Sequence, residues 1–365
     1  MLNDREYCLW LSGLRSMSPA DRQKLILLLG SPADIYNAED VVLLHLLNEG
    51  MIKPETLEEI KTTRNEEALK LREREIAGRC GILTLQDPEY PELLKEIPDP
   101  PVVLYYRGDI SLLNSMTALG VVGSRTPSIY GNEIAKAFVP VLAGAGLLIV
   151  SGLAMGIDTA AHNAALVTGK TVAVLGGGVD ICYPQRNFRL YEELCSNHLV
   201  ISEYPPGVPP LAIQFPQRNR IISGISKGLL VIEARKRSGT LITADAALDQ
   251  NRNVYAVPGR IGDALSEGTN RLIRMGAMLV QGPEDILEDL GVGNSGKKKT
   301  KREHLTPEER SILKKLSHVP VFIDDLFPED TDNWRDKLSI LSSMEARGLI
   351  SQPIQGYYVT GSCRM

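Results

Sequence analysis

The chain has 365 residues, 43% apolar and 23% charged, enough for two or three domains with buried cores, which excludes a disordered polypeptide. Its five cysteines, Cys8, Cys80, Cys182, Cys195 and Cys363, form no C-x-x-C pair and do not stand at zinc-ligand spacing from the five histidines. Reduced thiols are expected, with neither a disulfide framework nor a metal centre.

The net charge of −5 hides a gradient. Residues 1–115 carry 13 basic and 20 acidic side chains, 116–290 carry 15 of each, and 291–365 carry 12 and 10. The acidity that would repel a nucleic acid therefore belongs to the N-terminal third. Glu284, Asp285, Glu288 and Asp289 crowd the end of the middle segment, so 116–283 is locally basic. Asp4, Arg5 and Glu6 stand where a signal peptide needs an apolar core, and no apolar run reaches membrane-spanning length. These features predict a cytoplasmic protein without a membrane partner.

Residues 5–75 read as short amphipathic helices. Leu25, Ile26, Leu28 and Leu29 would form one apolar face, Ser31 and Asn37 act as start signals, and Gly50 acts as a stop. The stretch from 81 to 109 is punctuated by prolines and reads as extended connection with one strand at 102–106.

The middle region repeats a single unit of short apolar strand, glycine-containing turn and helix. Strands are predicted at 118–123, 147–150, 171–175, 199–202, 228–233 and 253–257. Near-continuous apolar strands alternating with helices specify an α/β fold with a parallel sheet covered on both faces. Such a sheet binds ligands beyond the carboxyl ends of its strands. Glycines gather there, in GSR, SGLAMG, GGGVD, EARKRSGT and PGR. Each alone is a turn residue; together they point to one edge.

Several patterns argue against nucleotide-dependent redox or phosphate-loop chemistry. The stretch AALVTGKT (164–171) fits a loose phosphate-loop pattern, but it ends a helix and enters a strand, the reverse of the required order. No G-x-G-x-x-G occurs, and no acid follows the 147–150 strand to hold a ribose. Asp158 and His162, four apart, would share a helical face. They can serve as an acid/base pair or as a hydrogen bond pinning the helix start to its loop, and the missing companion ligands favour the hydrogen bond. In FPQRNRIISG (215–224), Arg218, Asn219 and Arg220 concentrate donors at a loop or helix start, an arrangement that calls for an anionic ligand.

The motifs VVGSRTPSIYG, SGLAMGIDTAAHNAAL, TVAVLGGGVDICYPQRN, ISEYPPG, FPQRNRIISGIS, LLVIEARKRSGTLITADAAL and VYAVPG resemble, in this order, the signature of the DNA-processing protein A (DprA/Smf) family over about 80–290. The resemblance implies a bacterial Rossmann-like domain that binds single-stranded DNA, assists natural transformation, and passes the strand to RecA. It also implies a homodimer built through this domain, no catalytic activity and no cofactor.

Under that resemblance the residues have clear uses. Arg125, Arg186, Arg218 and Arg220 would supply charge, with Ser124 and Asn187 beside them. Phe215 and Phe188 would offer faces to bases or act as buried anchors. Gly176, Gly177, Gly178, Ser238, Gly239 and Thr240 would present backbone amides to phosphates. Asn219 would read a base edge or cap the helix.

The expected organisation is a small N-terminal helical domain (SAM or helix-hairpin-helix-like) at 1–79, the Rossmann-like domain at 80–290, a Gly/Ser/Lys-rich linker at 291–304, and a tail at 305–365. The tail reads as helices at 306–316, 321–327 and 334–346 with strands around Ile350 and Tyr358, and it resembles the winged helix of some family members. Its third helix mixes Arg335 and Lys337 with Asp336 and Glu345, which is no uniform duplex-reading face. The competing class is a nucleotide-binding protein or nucleoside-monophosphate hydrolase on a related fold, which needs a poised carboxylate, with Glu233 and Glu203 the nearest. A pure protein adaptor is a third class.

Overall fold

Side-chain caps set the first helices. Ser18 and Ser31 each accept a hydrogen bond from the third helical amide, and each is followed by proline at the first helical position. The computed structural model describes residues 2–292, 306–316, 320–327 and 334–360. These fall in two compact units, within Met1–Val292 and within Gly293–Met365.

The first unit opens with α1 (Asp4–Gly13), α2 (Pro19–Leu29), α3 (Pro32–Asn37), α4 (Asp40–Asn48), α5 (Pro54–Thr63) and α6 (Glu66–Ala77). Gly50 ends α4 at φ +67°, as expected of a stop. Asn37 does not start a helix. It closes α3, its Nδ2 donating to the Ala33 carbonyl at 2.9 Å, and α4 begins at Asp40 after Glu39. On α2 only Leu25 is fully buried, and Leu28 faces solvent, so the predicted apolar face is narrower than its four leucine and isoleucine positions.

The sheet strands are β1 (Gly81–Thr84), β2 (Val103–Gly108), β3 (Thr117–Val122), β4 (Leu147–Ser151), β5 (Thr171–Leu175), β6 (Leu199–Ser202), β7 (Gly228–Val231), β8 (Asn253–Ala256) and β9 (Met278–Leu279). Between them lie α7 (Glu92–Lys95), α8 (Leu112–Ser115), α9 (Ile129–Gly144), α10 (Ile157–Ala165), α11 (Phe188–Asn197), α12 (Gln214–Ile225), α13 (Gly239–Asp249) and α14 (Glu267–Arg274), with α15 (Pro283–Asp289) closing the unit. The order across the sheet is β1-β2-β6-β5-β4-β3-β7-β8-β9, parallel from β6 to β9 and antiparallel at β1, β2 and β6. The fold is α/β with a mostly parallel central sheet, and the order reverses at β3, which lies between β4 and β7.

Alternation along the strands sorts the core. Leu148 and Val150 of β4 pack with Ile221, Ile222 and Ala244 from α12 and α13. Leu147 and Ile149 of the same strand pack with Ala135, Phe138 and Ala161 from α9 and α10. A third cluster joins Leu9, Trp10, Ile35 and Ile60 of the N-terminal helices to Tyr105, Leu175 and Val200 of the sheet.

The second unit contains α16 (Pro307–Lys315), β10 (Val321–Phe322), α17 (Ile323–Leu326), α18 (Trp334–Ala346), β11 (Ile350–Ile354) and β12 (Tyr357–Thr360). Its antiparallel sheet has the order β10-β12-β11 over a core that includes Ile312, Leu326, Leu341, Met344 and Tyr358. The expected helix at 321–327 is shorter, because Val321 and Phe322 pair with Tyr358 and Tyr357 as a strand. The linker expected at 291–304 lies, from residue 293 on, outside the described residues.

Candidate nucleic-acid interface

The reversal of strand order at β3 opens a crevice, because the connections after β3 and β7 leave the sheet in different directions. A pocket of about 570 Å³ occupies it, lined by the end of β3, the loops after β3 and β4, the segment between β7 and α13, α12 and the start of α13. Of the predicted residues it gathers Ser124, Arg125, Phe215, Arg218, Asn219, Ser238, Gly239 and Thr240.

The α13 wall is fixed by its cap. Ser238 Oγ accepts from the Thr240 amide at 3.2 Å, and Thr240 Oγ1 donates to the Gly123 carbonyl at 3.0 Å, tying the helix start to the end of β3. Ahead of the cap, Arg235 and Arg237 are exposed and line the pocket. Their cations stand beside the amide end of α13, so charge and dipole favour the same anionic ligand.

The opposite wall is aromatic. The Arg125 guanidinium lies 5.6 Å from the Phe215 ring centroid, within cation–π range, and the Tyr183 ring is 5.7 Å from Phe215 at an interplanar angle of 31°. Phe215 sits against Gly176, where any Cβ would collide with the ring. Tyr183 is 53% exposed and presents the more accessible aromatic surface of the two.

The floor holds the deepest charges. Arg218 is 4% exposed and donates to the Val174 carbonyl from a position where its guanidinium overlies Gly152. Burial lowers its pKa to about 10 while the neighbouring Asp158 opposes the shift, so it remains cationic at neutral pH. Asp158 Oδ2 accepts from the Gly152 amide at 3.1 Å and the Ala154 amide at 3.3 Å, pinning the loop between β4 and α10 as the residue pattern favoured. Burial raises the Asp158 pKa, against the pull of Arg218 and those two amides.

His162 forms no acid/base pair with Asp158. Thr171 Oγ1 donates its one proton to the Ile149 carbonyl at 2.8 Å, so it accepts from His162 Nδ1 at 2.7 Å. Burial, with Arg218 adding to it, pushes the imidazole pKa down to about 3, and the ring is neutral.

The remaining predicted residues lie elsewhere. Arg220 is buried and committed to Glu203 and Asp99. Gly176 is buried under the Phe215 ring and Gly177 and Gly178 under the 205–210 loop, and the Gly178 amide donates to the Val208 carbonyl at 2.7 Å. Phe188 opens α11 with its ring 6.3 Å from Tyr191, and it lines neither this pocket nor the adjoining cleft. Arg186 and Asn187 border that cleft, where Asn187 Nδ2 donates to the Leu153 carbonyl and to Thr159 Oγ1. Asn219, which does line the pocket, is the sixth residue of α12 and caps nothing; Arg218, Asn219 and Arg220 are mid-helix, not at a helix start.

Arg235, Arg237 and Tyr183 line the pocket as well, and none of them is among the residues expected there from the sequence. The first two were legible as the basic run ARKR directly after an apolar strand and before a helix start. The two carboxylates nominated for hydrolysis are both engaged. Glu233 accepts from the Ser128 amide at 3.0 Å and from its hydroxyl, at the start of α9, and Glu203 holds Arg220.

Residues 81–291 match the family described as DNA recombination-mediator protein A. The chain is 49% identical over 209 residues to DNA processing protein DprA of Streptococcus pneumoniae, covering 56% of this chain and 73% of that one. It is 50% identical over 206 residues to protein Smf of Escherichia coli, covering 56% and 55%. The X-ray structure of the Streptococcus pneumoniae protein superposes with a TM-score of 0.67 at 38% identity, over 79% of this chain and 98% of that one. A structure of DNA processing protein A from Helicobacter pylori, described for its single-stranded DNA binding mode, superposes with a TM-score of 0.53 at 29% identity, over 58% and 96%. With more than half its length in the family match, on a sheet whose order reverses at the pocket, this chain belongs to the DNA recombination-mediator protein A family.

Proposed function

We propose that this protein binds single-stranded DNA in the pocket between the ends of β3 and β7. One observation carries the reading: Arg125, Arg235 and Arg237 converge with the amide end of α13 on an exposed aromatic wall. Such a pocket meets phosphates with charge and backbone amides and meets bases with stacking surface, the combination that holds a single strand with little regard to sequence. The Helicobacter pylori relative, described for single-stranded DNA binding, supports it.

Hydrolysis of a nucleotide has less support. Glu233 and Glu203 are tied to Ser128 and Arg220, and His162 is buried and neutral. We therefore read the protein as a binder without catalytic activity. Family membership supports a role in which it protects incoming strands, hands them to RecA in transformation, and acts as a cytoplasmic homodimer. We read 1–79, 80–290 and 305–365 as its N-terminal helical, Rossmann-like and winged-helix domains. The helix, strand, helix, helix and hairpin order of the last unit supports that assignment.

A salt titration of labelled oligonucleotide binding tests the proposal. Arg125→Ala and Arg235→Ala should each weaken binding of every sequence alike and flatten the log–log salt slope by about 0.7 for each phosphate that is no longer neutralised. Unchanged affinity in both folded variants would remove the pocket from strand binding.

A further inference from the structure

Behind Arg125 lies a second cleft, of about 700 Å³, between α9 and α10. The two spaces share the same walls. Val122 at the end of β3 and residues 123–126 of the loop after it line the first pocket, while Arg125 and Pro127 line the second. Ala154 and Asp158 face the first, while Met155, Gly156 and Thr159 face the second. Arg125 borders both, so one guanidinium stands at the partition.

The chemistry of the second cleft is one-sided. Arg125, Lys136 and Arg186 line it, the uncharged amide of Asn163 joins them, and no carboxylate is among its lining residues. Lys136 Nζ is 3.1 Å from Glu133, but both groups are exposed and such a pair holds its charge only weakly. Met155 and Val167 add exposed apolar surface between the cations. Its volume lies in the range of ligand clefts.

We propose that this cleft is a second strand-binding segment, in which a single strand leaving the first pocket continues past Arg125 between α9 and α10. The proposal rests on the reading of the first pocket as a strand site. Arg125 then contacts the phosphate between the two segments, Lys136 and Arg186 take phosphates farther along, and Met155 and Val167 lie beneath bases or sugars.

The test is a length series of oligothymidylate, from roughly four to sixteen nucleotides, the range of such sites. It is run on the full chain, on Lys136→Ala and on Asn163→Glu, both at exposed helix positions. Wild-type affinity should rise in two stages with length. Lys136→Ala should flatten the salt slope for the longest oligonucleotide by about 0.7 and leave the shortest bound one unaffected. Asn163→Glu, by placing a negative charge in the cleft, should abolish the second stage, a loss of tenfold or more. The proposal is overturned if affinity saturates at the shortest bound length, or if both variants bind long strands like wild type. It is also overturned if they weaken short and long strands equally. Absence of any oligonucleotide binding by wild type would instead overturn the reading of the first pocket, and this one with it.

Discussion

Arg220 donates through Nη2 to Glu203 at 2.6 Å, and Asp99 stands 3.3 Å from its Nε. Both members of the close pair are at least nine-tenths buried, so this arginine neutralises carboxylates beneath the site and leaves no charge for a phosphate. Arg220→Ala should cost about 3–5 kcal/mol of stability, because it strands Glu203 as a buried charge. Denaturant titration reads the loss. The salt slope of strand binding, measured where the variant remains folded, should match wild type; a flatter slope would mean that Arg220 neutralises a phosphate after all.

Tyr183 supplies the complementary case. Its ring is half exposed beside Phe215, so Tyr183→Ala should leave the denaturation midpoint almost unmoved. Affinity should fall by about 1–3 kcal/mol, the usual worth of one stacked base. The salt slope should stay constant, since no charge is removed. Equal affinity for wild type and variant would show that bases do not stack there.

His162 predicts a pH effect on stability. Its folded pKa, about 3, lies below the ordinary value of 6.5, so the unfolded chain binds the proton first. Stability is therefore full above pH 6.5 and lost as pH falls from 6.5 towards 3, at up to about 1.4 kcal/mol per unit. His198, also depressed by burial, acts in the same sense. Denaturation midpoints between pH 5 and 7 should fall less steeply in His162→Gln than in wild type. Parallel slopes would refute the neutral, buried assignment.

Trp10 tests whether the N-terminal helices and the sheet melt together. It is 1% exposed, donates to Thr63 Oγ1 at 2.8 Å, and belongs to the cluster that reaches Tyr105 and Val200. Trp10→Ala should cost about 3–5 kcal/mol and shift one transition that includes the sheet. A low-temperature transition confined to the helices, with the sheet unmoved, would show that they unfold separately.

The parallel sheet was legible because buried strands such as LLIV and TVAV are continuous apolar runs, and the helices between them repeat at the right length. The sheet edge that carries the pocket was legible from its glycines, two of which, Gly123 and Gly239, line it. Burial was not. Arg218 and Arg220 look like surface donors in a sequence, and only the tertiary partners Val174, Asp158, Glu203 and Asp99 reveal that one forms the floor and the other lies outside the pocket. The glycines at 176–178 misled for a related reason. Their small size admits the 205–210 loop and the Phe215 ring instead of a phosphate. Asn37 shows the local limit: an asparagine start signal lost to a helix that Ser31 and Pro32 had already begun.

The loop from Gly152 to Gly156 is held before any ligand arrives. Asp158 binds two of its amides, Asn187 binds the Leu153 carbonyl, and Leu153 and Gly156 sit at φ +55° and +82°. A wall fixed in this way needs no ordering step when a strand lands on it. Association should then be governed by encounter, fast at low ionic strength and slowing steeply as salt screens the arginines. Residence time, set by stacking and backbone amides, should change far less over the same range. Stopped-flow traces would accordingly show a single bimolecular phase that scales linearly with strand concentration, without the plateau that a closing loop imposes.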